Sequence, residues 1–340
     1  MASTTAPPPS TSPSASPGRP ALPSFLRLSS PSAGALGALI LLSIFNAFAT
    51  TNFLTWVTLR VNLAQVSTIV LVAIGMTLVI ATGGVDLSVG SLMAIAGSLA
   101  PLIFLSDQGW LGPRWVAIPL AFVAPVLLAG AFGLVNGTLV ARFGIQPIVA
   151  TLVLFLGGRG IAKLLLDGKL KEFDEPAFEY IGKGRPLGIP VSIFLMVGVV
   201  ALAAWAMRAT SFGRYVLATG GNEQAARLAG VPVARTRLAV YGITGMLAGL
   251  AGLIEISRTA SANPSVVGVN MELNAIAAAA VGGTVLTGGR ATVLGTLVGA
   301  CLVHQIRYTL ISHDVADGTT RIVTAAAILV AVLLQRRSSS

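Results

Sequence analysis

The sequence contains only one cysteine and two histidines. Cys301 has no second cysteine with which to form an intrachain disulfide or a cysteine cluster. His304 and His313 lie nine residues apart, without the group of neighbouring ligand residues that a metal site needs. We therefore predict no metal site in this chain.

Catalytic motifs are also absent from the sequence. It has no nucleophile elbow, and no phosphate-binding loop that ends in Gly-Lys-Ser or Gly-Lys-Thr. The chain therefore cannot be its own ATPase of that class, and we predict no catalytic residues and no cofactor. An enzyme embedded in the membrane would need a nucleophile, a metal or a paired-acid group. Any energy coupling would have to come from a partner or from an ion gradient.

Charged residues make up only 10% of the chain, whereas hydrophobic residues make up 54% and the mean hydropathy is +0.85. A soluble domain of this composition could not cover its surface with polar groups. Apolar runs of roughly 17 to 25 residues recur, which is the length that a helix needs to cross a hydrocarbon core of about 30 Å. We predict an all-α, polytopic bundle of transmembrane helices in contact with membrane lipid.

About ten spans can be assigned from these apolar runs. The eighth is too short to cross comfortably, so we expect a half-helix or a re-entrant segment buried within the bundle. The predicted spans are 33–56, 63–82, 88–105, 115–140, 147–166, 190–207, 238–256, 271–285, 292–311 and 320–334.

The net charge of +10 lies at span ends and in loops, not in a patch interleaved with aromatic residues, so we predict no nucleic-acid partner. Residues 208–237 carry five arginines against the single Glu223, which predicts a cytoplasmic loop. Residues 167–185 balance acids and bases and should face the opposite side. Residues 1–32 are rich in Ser, Pro and Ala, which predicts a disordered cytoplasmic tail before a transmembrane domain at 33–336.

Ionisable residues near the spans are few, and they decide between two classes of transporter. A secondary transporter or channel driven by an ion gradient would need an essential titratable group inside the membrane. Nearly all candidates lie at predicted span ends or at Gly-Gly breaks, which favours interfacial or break-capping roles. These candidates are Asp86, Glu255, Glu272, Arg159, Arg290 and Arg307.

Two glycine-rich patterns predict breaks in helices. In the first, Gly83 and Gly84 end one helix, and Asp86 beside Ser88 can cap the next helix by accepting from the free amides at its start. A related pattern contains Gly282, Gly283 and Gly289. When the two are aligned at their glycine pairs, Leu87 corresponds to Leu286. They are either matching broken helices around a pathway or a chance similarity of glycines.

Four ordered motifs resemble the membrane-spanning permeases of bacterial ABC importers for ribose-type sugars, in the group that also holds branched-chain amino-acid permeases. The resemblance covers about residues 62–334, with Asn274 where that family usually has Asp. Residues 145–152 and 157–162 look most like the galactofuranose permeases. The motifs are GMTLVIATGGVDLSVGS at 75–91, NG at 136–137 with QPIVATL at 146–152 and GRG at 158–160, FGRY at 212–215 with GGNEQAARLAG at 220–230, and ELNAIA at 272–277 with GGT at 282–284 and GGR at 288–290.

The resemblance implies a permease subunit in the bacterial inner membrane that imports a pentose or furanose-type monosaccharide. It implies an ABC ATP-binding subunit, a periplasmic sugar-binding protein and a second permease subunit, identical or different, as partners. It also implies that residues 208–237 are the coupling loop that docks into the ATPase, with a turn followed by a short helix. The coupling residues so implied are Gly220, Gly221, Asn222, Ala225, Ala226, Arg227 and Gly230.

Overall fold

The computed structural model describes residues 30–105, 113–316, 318–320, 322–323 and 325–326. Over these residues the chain is a helical bundle with one small two-stranded sheet. Seven of the described helices are long and apolar enough to cross a membrane, and two shorter apolar helices accompany them. The prediction of an all-α, polytopic membrane bundle is confirmed.

The helices follow the predicted spans closely, with shifts at their ends. They are α1 (Ser30–Ala49), α2 (Trp56–Ala81), α3 (Val89–Phe104), α4 (Arg114–Ala141), α5 (Pro147–Leu165), α6 (Pro176–Lys183), α7 (Val191–Ala209), α8 (Ser211–Gly221), α9 (Glu223–Leu228), α10 (Val233–Thr259), α11 (Met271–Val281) and α12 (Val293–Ser312). The strands are β1 (Lys171–Glu172) and β2 (Ser261–Ala262), which pair antiparallel.

The boundaries predicted for the tail and for the loop need correction. Helix α1 begins at Ser30, so residues 30–32 of the predicted tail are helical. The predicted loop 208–237 is shorter than expected, because α7 continues to Ala209 and α10 already begins at Val233. Residues 1–29 and most of the predicted span 320–334 lie outside the described residues.

Helix α2 forms the centre of the bundle. Every residue from Val66 to Ala81 is buried, because α2 is apolar on all sides and other helices surround it. In α4, α5 and α7, only 28%, 22% and 22% of the apolar stretch, respectively, is buried inside the bundle. These helices therefore present broad apolar faces outward. The arrangement is that of a bundle whose perimeter faces lipid or another membrane subunit.

The two ends of the bundle carry different structures. At one end, α6 and the β1–β2 ladder cover the end of α10, and Phe178 packs between Phe104 and Phe122 with ring centroids 4.8 Å from each. At the other end, α8 and α9 connect α7 to α10. Because α7 spans the bundle between them, residues 167–185 and the segment of α8 and α9 lie on opposite sides, as the charge pattern predicted.

The eighth predicted span is a half-helix and not a re-entrant hairpin. Residues 263–270 follow β2 as non-helical turns beside α3, where Gly268 approaches Gly90. Helix α11 then completes the crossing with 11 residues, about 16 Å of helix. The irregular half is tolerated at membrane depth because α3 and α5 cover part of it.

Candidate functional site: two helix breaks and a connecting segment

The first break, residues 82–88, joins α2 to α3. Gly83 has φ of 82° and ends α2 in a Schellman motif: its N–H donates to the Ile80 carbonyl, at 2.9 Å, and the Gly84 N–H donates to the Val79 carbonyl, at 3.1 Å. Residues with a side chain rarely adopt this φ. A side chain at Gly84 would lie 2.7 Å from the Tyr241 hydroxyl. The predicted helix break is therefore present.

Asp86 is fully buried in this break and organises its polar groups. Its Oδ1 accepts from the Ser88 N–H at 2.9 Å and from the Ser88 hydroxyl at 2.6 Å, and the Asn136 amide donates to the same hydroxyl at 2.9 Å. The Leu87 N–H donates to the Thr151 hydroxyl at 3.1 Å. The four polar groups tie the start of α3 to α4 and α5.

The expected capping role of Asp86 differs in detail from the structure. Ser88 is the N-cap residue of α3, and Asp86 accepts from Ser88 itself and not from the amides of the first helical turn. Sequence analysis named Asp86 and Ser88 but missed Asn136 as their partner, which lies 48 residues further along the chain. An asparagine within an apolar run was the available signal.

The second break, residues 282–292, joins α11 to α12 and begins in the same way. Gly283 has φ of 94°, its N–H donates to the Ala280 carbonyl at 3.0 Å, and the Thr284 N–H donates to the Ala279 carbonyl at 3.0 Å. The Thr292 hydroxyl donates to the Gly282 carbonyl at 2.7 Å. The two breaks thus share a helix-ending motif.

The sequence alignment of the two breaks was wrong by one residue. The structure aligns Gly83 with Gly283, whereas the sequence pattern paired Gly83 with Gly282. Beyond the shared cap the breaks diverge, since α3 begins six residues after Gly83 and α12 begins ten residues after Gly283. A common C-cap explains the similarity without an internal repeat.

The two breaks touch each other at the end of the bundle that carries α8 and α9. The Gly289 N–H donates to the Ala81 carbonyl at 3.0 Å. The end of α8 packs against this hydrogen bond, because a Cβ atom at Gly220 would lie 2.7 Å from the Gly289 nitrogen. The structure therefore brings together glycines from the predicted coupling set and from both predicted breaks.

The segment between α7 and α10 has the expected turn and short helix. Asn222 caps α9, with its side-chain oxygen accepting from the Ala225 N–H at 3.0 Å. Ala225 and Arg227 are exposed, as are Gly221 and Gly230 on either side of α9. The apolar residues of α9 do not share one environment, because Ala226 is buried against the bundle whereas Leu228 is 90% exposed.

Glu223 fastens α9 to the start of α10, a contact that sequence analysis missed. Its carboxylate accepts from Arg237 at 2.6 and 3.1 Å and from Arg227 at 2.5 Å. Partial burial opposes ionisation, but the hydrogen bonds and positive charges of Arg237 and Arg227 hold the pKa of the Glu223 carboxyl below its ordinary value. Part of the positive charge of this segment is therefore neutralised within the protein itself.

Arg159 on α5 supports the irregular half of the eighth span. Its guanidinium donates to the carbonyls of Pro264 and Val267, at 3.1 and 2.5 Å. These carbonyls lie in a non-helical segment and would otherwise need another donor inside the membrane. Arg159 was a candidate ionisable residue, and the structure gives it a backbone-supporting role.

No group of three or more potential metal ligands occurs among the described residues. The buried polar groups hold backbone turns together, and the segment between α7 and α10 exposes most of α9. Broken helices inside a polytopic bundle, joined at one end to a polar connecting segment, define the class of this protein as a membrane permease.

The chain matches, over residues 58–333, the family described as the permease component of branched-chain amino acid transport systems, and it belongs to that family. It is 41% identical over 307 residues to the ribose import permease protein RbsC of Escherichia coli strain K12, covering 89% of this chain and 92% of the relative. The predicted family and the role as a transport subunit, not an enzyme, are confirmed.

Relatives named for other sugars are also similar. The galactofuranose transporter permease protein YtfT of Escherichia coli strain K12 is 34% identical, over 80% of this chain and 78% of the relative. The L-arabinose ABC transporter permease protein AraH of Azospirillum brasilense is 34% identical, over 84% of this chain and 81% of the relative. No solved structure matches the chain.

Proposed function

We propose that the chain is the membrane-spanning subunit of an ATP-driven importer that carries a monosaccharide into the bacterial cytoplasm. The relatives named for ribose, galactofuranose and arabinose support a pentose or furanose-type sugar. The partners are an ABC ATP-binding subunit, a periplasmic sugar-binding protein and a second permease subunit, the same or different. The protein resides in the bacterial inner membrane, with residues 208–237 on the cytoplasmic side.

The exposed surface of α9 is the observation that carries this proposal. Leu228 is 90% exposed at the end of the bundle where the net positive charge predicts cytoplasm. A large apolar side chain on a helix of a soluble-facing segment suits a groove on a partner protein. Asn222 caps this helix, and Glu223 links its first turn to α10, so the surface is preformed.

Affinity purification from detergent tests the proposal, with the ATP-binding subunit as the measured co-purifying protein. The disruptive variant is Leu228→Asp with Arg227→Glu, which leaves the buried Ala226 intact. The matched control is Leu187→Asp, because Leu187 is 93% exposed at the opposite end of the bundle. We expect the wild type and the control to capture the ATPase, and the disruptive variant to lose it.

One result would contradict the proposed function, and a second would contradict only the assignment of α9 as the docking surface. Capture of no ATPase by the wild type under mild conditions would favour the ion-coupled transporter instead. Equal capture by the wild type and the α9 variant would show that α9 is not the docking surface, although an ATP-driven importer would remain.

A further inference from the structure

Five glycines from three distant parts of the sequence meet at one place in the structure. The junction is formed by Gly83 at the first break, Gly220 and Gly221 at the end of α8, and Gly288 and Gly289 in the second break. A side chain at Gly288 would lie 2.9 Å from both the Gly220 oxygen and the Gly83 nitrogen. Backbone therefore touches backbone at this junction, with no side chain between.

Two neighbouring glycines of α8 differ sharply in this contact. A Cβ atom at Gly220 would collide with the Ala81 carbonyl oxygen and lie 2.7 Å from the Gly289 nitrogen. A Cβ atom at Gly221 would meet only the Gly289 Cα, at 3.9 Å, which is ordinary van der Waals contact. The close approach of the two backbones therefore requires glycine at position 220 but not at position 221.

We propose that this junction is the point at which a movement of the coupling segment reaches both helix breaks at once, with Gly220 as its positioning residue. The inference rests on the proposed function, because it assumes that an ATPase moves the segment. It goes further by assigning the place where that movement is transmitted. The Gly289 N–H to Ala81 carbonyl hydrogen bond links the two breaks, so they respond together.

The geometry of α8 suits this role. Its 11 residues form a continuous helix held to the bundle by the buried Val216 and Thr219, and its last turn rests on Ala81 and Gly289. Flexible side chains would absorb a small displacement, whereas packed backbone passes it on. The breaks reached in this way end α2 and α11, the central helix and the half-helix of the eighth span.

Hydrogen–deuterium exchange of the complete importer complex tests the proposal, with and without ATP and vanadate. The variants are Gly220→Ala and its neighbour Gly221→Ala as matched control. Because neither substitution alters the exposed surface of α9 to which docking is assigned, we expect both variants to capture the ATPase as the wild type does. ATP should change the exchange of residues 82–92 and 282–292 in the wild type and in Gly221→Ala, and this change should be lost in Gly220→Ala.

The outcomes separate this inference from the proposed function. Failure of the wild type to capture an ATPase would overturn the proposed function itself. If Gly220→Ala captures the ATPase and its breaks respond normally, the junction does not transmit the movement. If Gly220→Ala folds but captures no ATPase, Gly220 serves docking, and the inference is wrong.

A second measurement applies if Gly220→Ala does not fold. Spin labels at Gly221→Cys and Leu286→Cys, with Cys301→Ser to remove the native thiol, report the distance between α8 and the second break. We expect this distance to stay the same in the nucleotide-free and ATP–vanadate states. A shift larger than the width of the distance distribution would show that α8 moves independently of the break, which would overturn the inference.

Discussion

Replacing Gly133 on α4 by alanine should destabilise the bundle by crowding the contact between α4 and α10. A Cβ atom at Gly133 would collide with the Tyr241 carbonyl oxygen and lie 3.1 Å from its carbonyl carbon and 3.3 Å from the Gly242 Cα. All three atoms belong to the backbone of α10, so none can rotate away. The two helices must separate locally to admit the methyl group.

The size of this effect can be isolated by a matched substitution. Gly198 on α7 also lies within a helix, but a Cβ atom there meets nothing within 4 Å. Both substitutions gain the same helix propensity, up to about 1 kcal/mol. Overpacking a tight contact costs about 1–3 kcal/mol, so Gly133→Ala should be less stable than Gly198→Ala by about this amount.

Denaturant or thermal unfolding in detergent, followed by tryptophan fluorescence, measures the difference between the two variants. We expect Gly198→Ala to unfold at or above the wild-type midpoint and Gly133→Ala to unfold below it. Equal midpoints for the two variants would refute the backbone contact between α4 and α10. A reduced amount of folded Gly133→Ala in the membrane would agree with the same reasoning.

Two further predictions concern the charged groups. The pKa of the Glu223 carboxyl is lowered in the folded protein. Its ionised form therefore stabilises the fold fully above the pKa of the unfolded chain, about 4.3. This stabilisation is lost as the pH falls through the lower pKa of the folded protein. The difference in unfolding midpoint between wild type and Glu223→Gln should therefore be present at neutral pH and vanish in acid. It should correspond to at most about 1 kcal/mol, because Glu223 is partly exposed. A difference that grows in acid would contradict this prediction. Asp86→Asn keeps an acceptor for Ser88, so it should retain ATP-dependent uptake of whichever labelled sugar the wild type imports among ribose, galactofuranose and arabinose. Asp86→Ala removes that acceptor and should lose about 1–3 kcal/mol of stability. Loss of ion-coupled uptake in folded Asp86→Asn would favour the gradient-driven alternative.

Hydropathy was enough to predict most helices, because a lipid-spanning helix must satisfy its own backbone and present apolar side chains over about 20 residues. Helix ends were less predictable. The loop 208–237 was assigned by its polar residues, yet α10 begins at Val233 and carries Arg235 and Arg237 within its first turns. Arg237, although it lies within this helix, pairs with Glu223 across the segment. Such a pairing depends on tertiary structure, not on local composition.

The same limit applies to the candidate site. The sequence shows that Arg159 and Asp86 are charged residues in an apolar setting, where a charge is costly to leave unpaired. It does not show that the partners of Arg159 are the carbonyls of Pro264 and Val267, more than 100 residues away. Any residue has a carbonyl, so no residue type at 264 or 267 could indicate the contact.

The contacts of glycine residues are the hardest to predict from the sequence. Gly133 and Gly198 are both helical glycines in apolar runs, yet only Gly133 lies against another backbone. Gly220 and Gly221 are adjacent, and only at Gly220 would a Cβ atom collide with another backbone segment. A glycine identifies where close approach is permitted, while the approaching partner is set by the fold. In this permease the contacts assigned to coupling are made by backbone atoms, so their importance follows from the structure and not from side-chain chemistry.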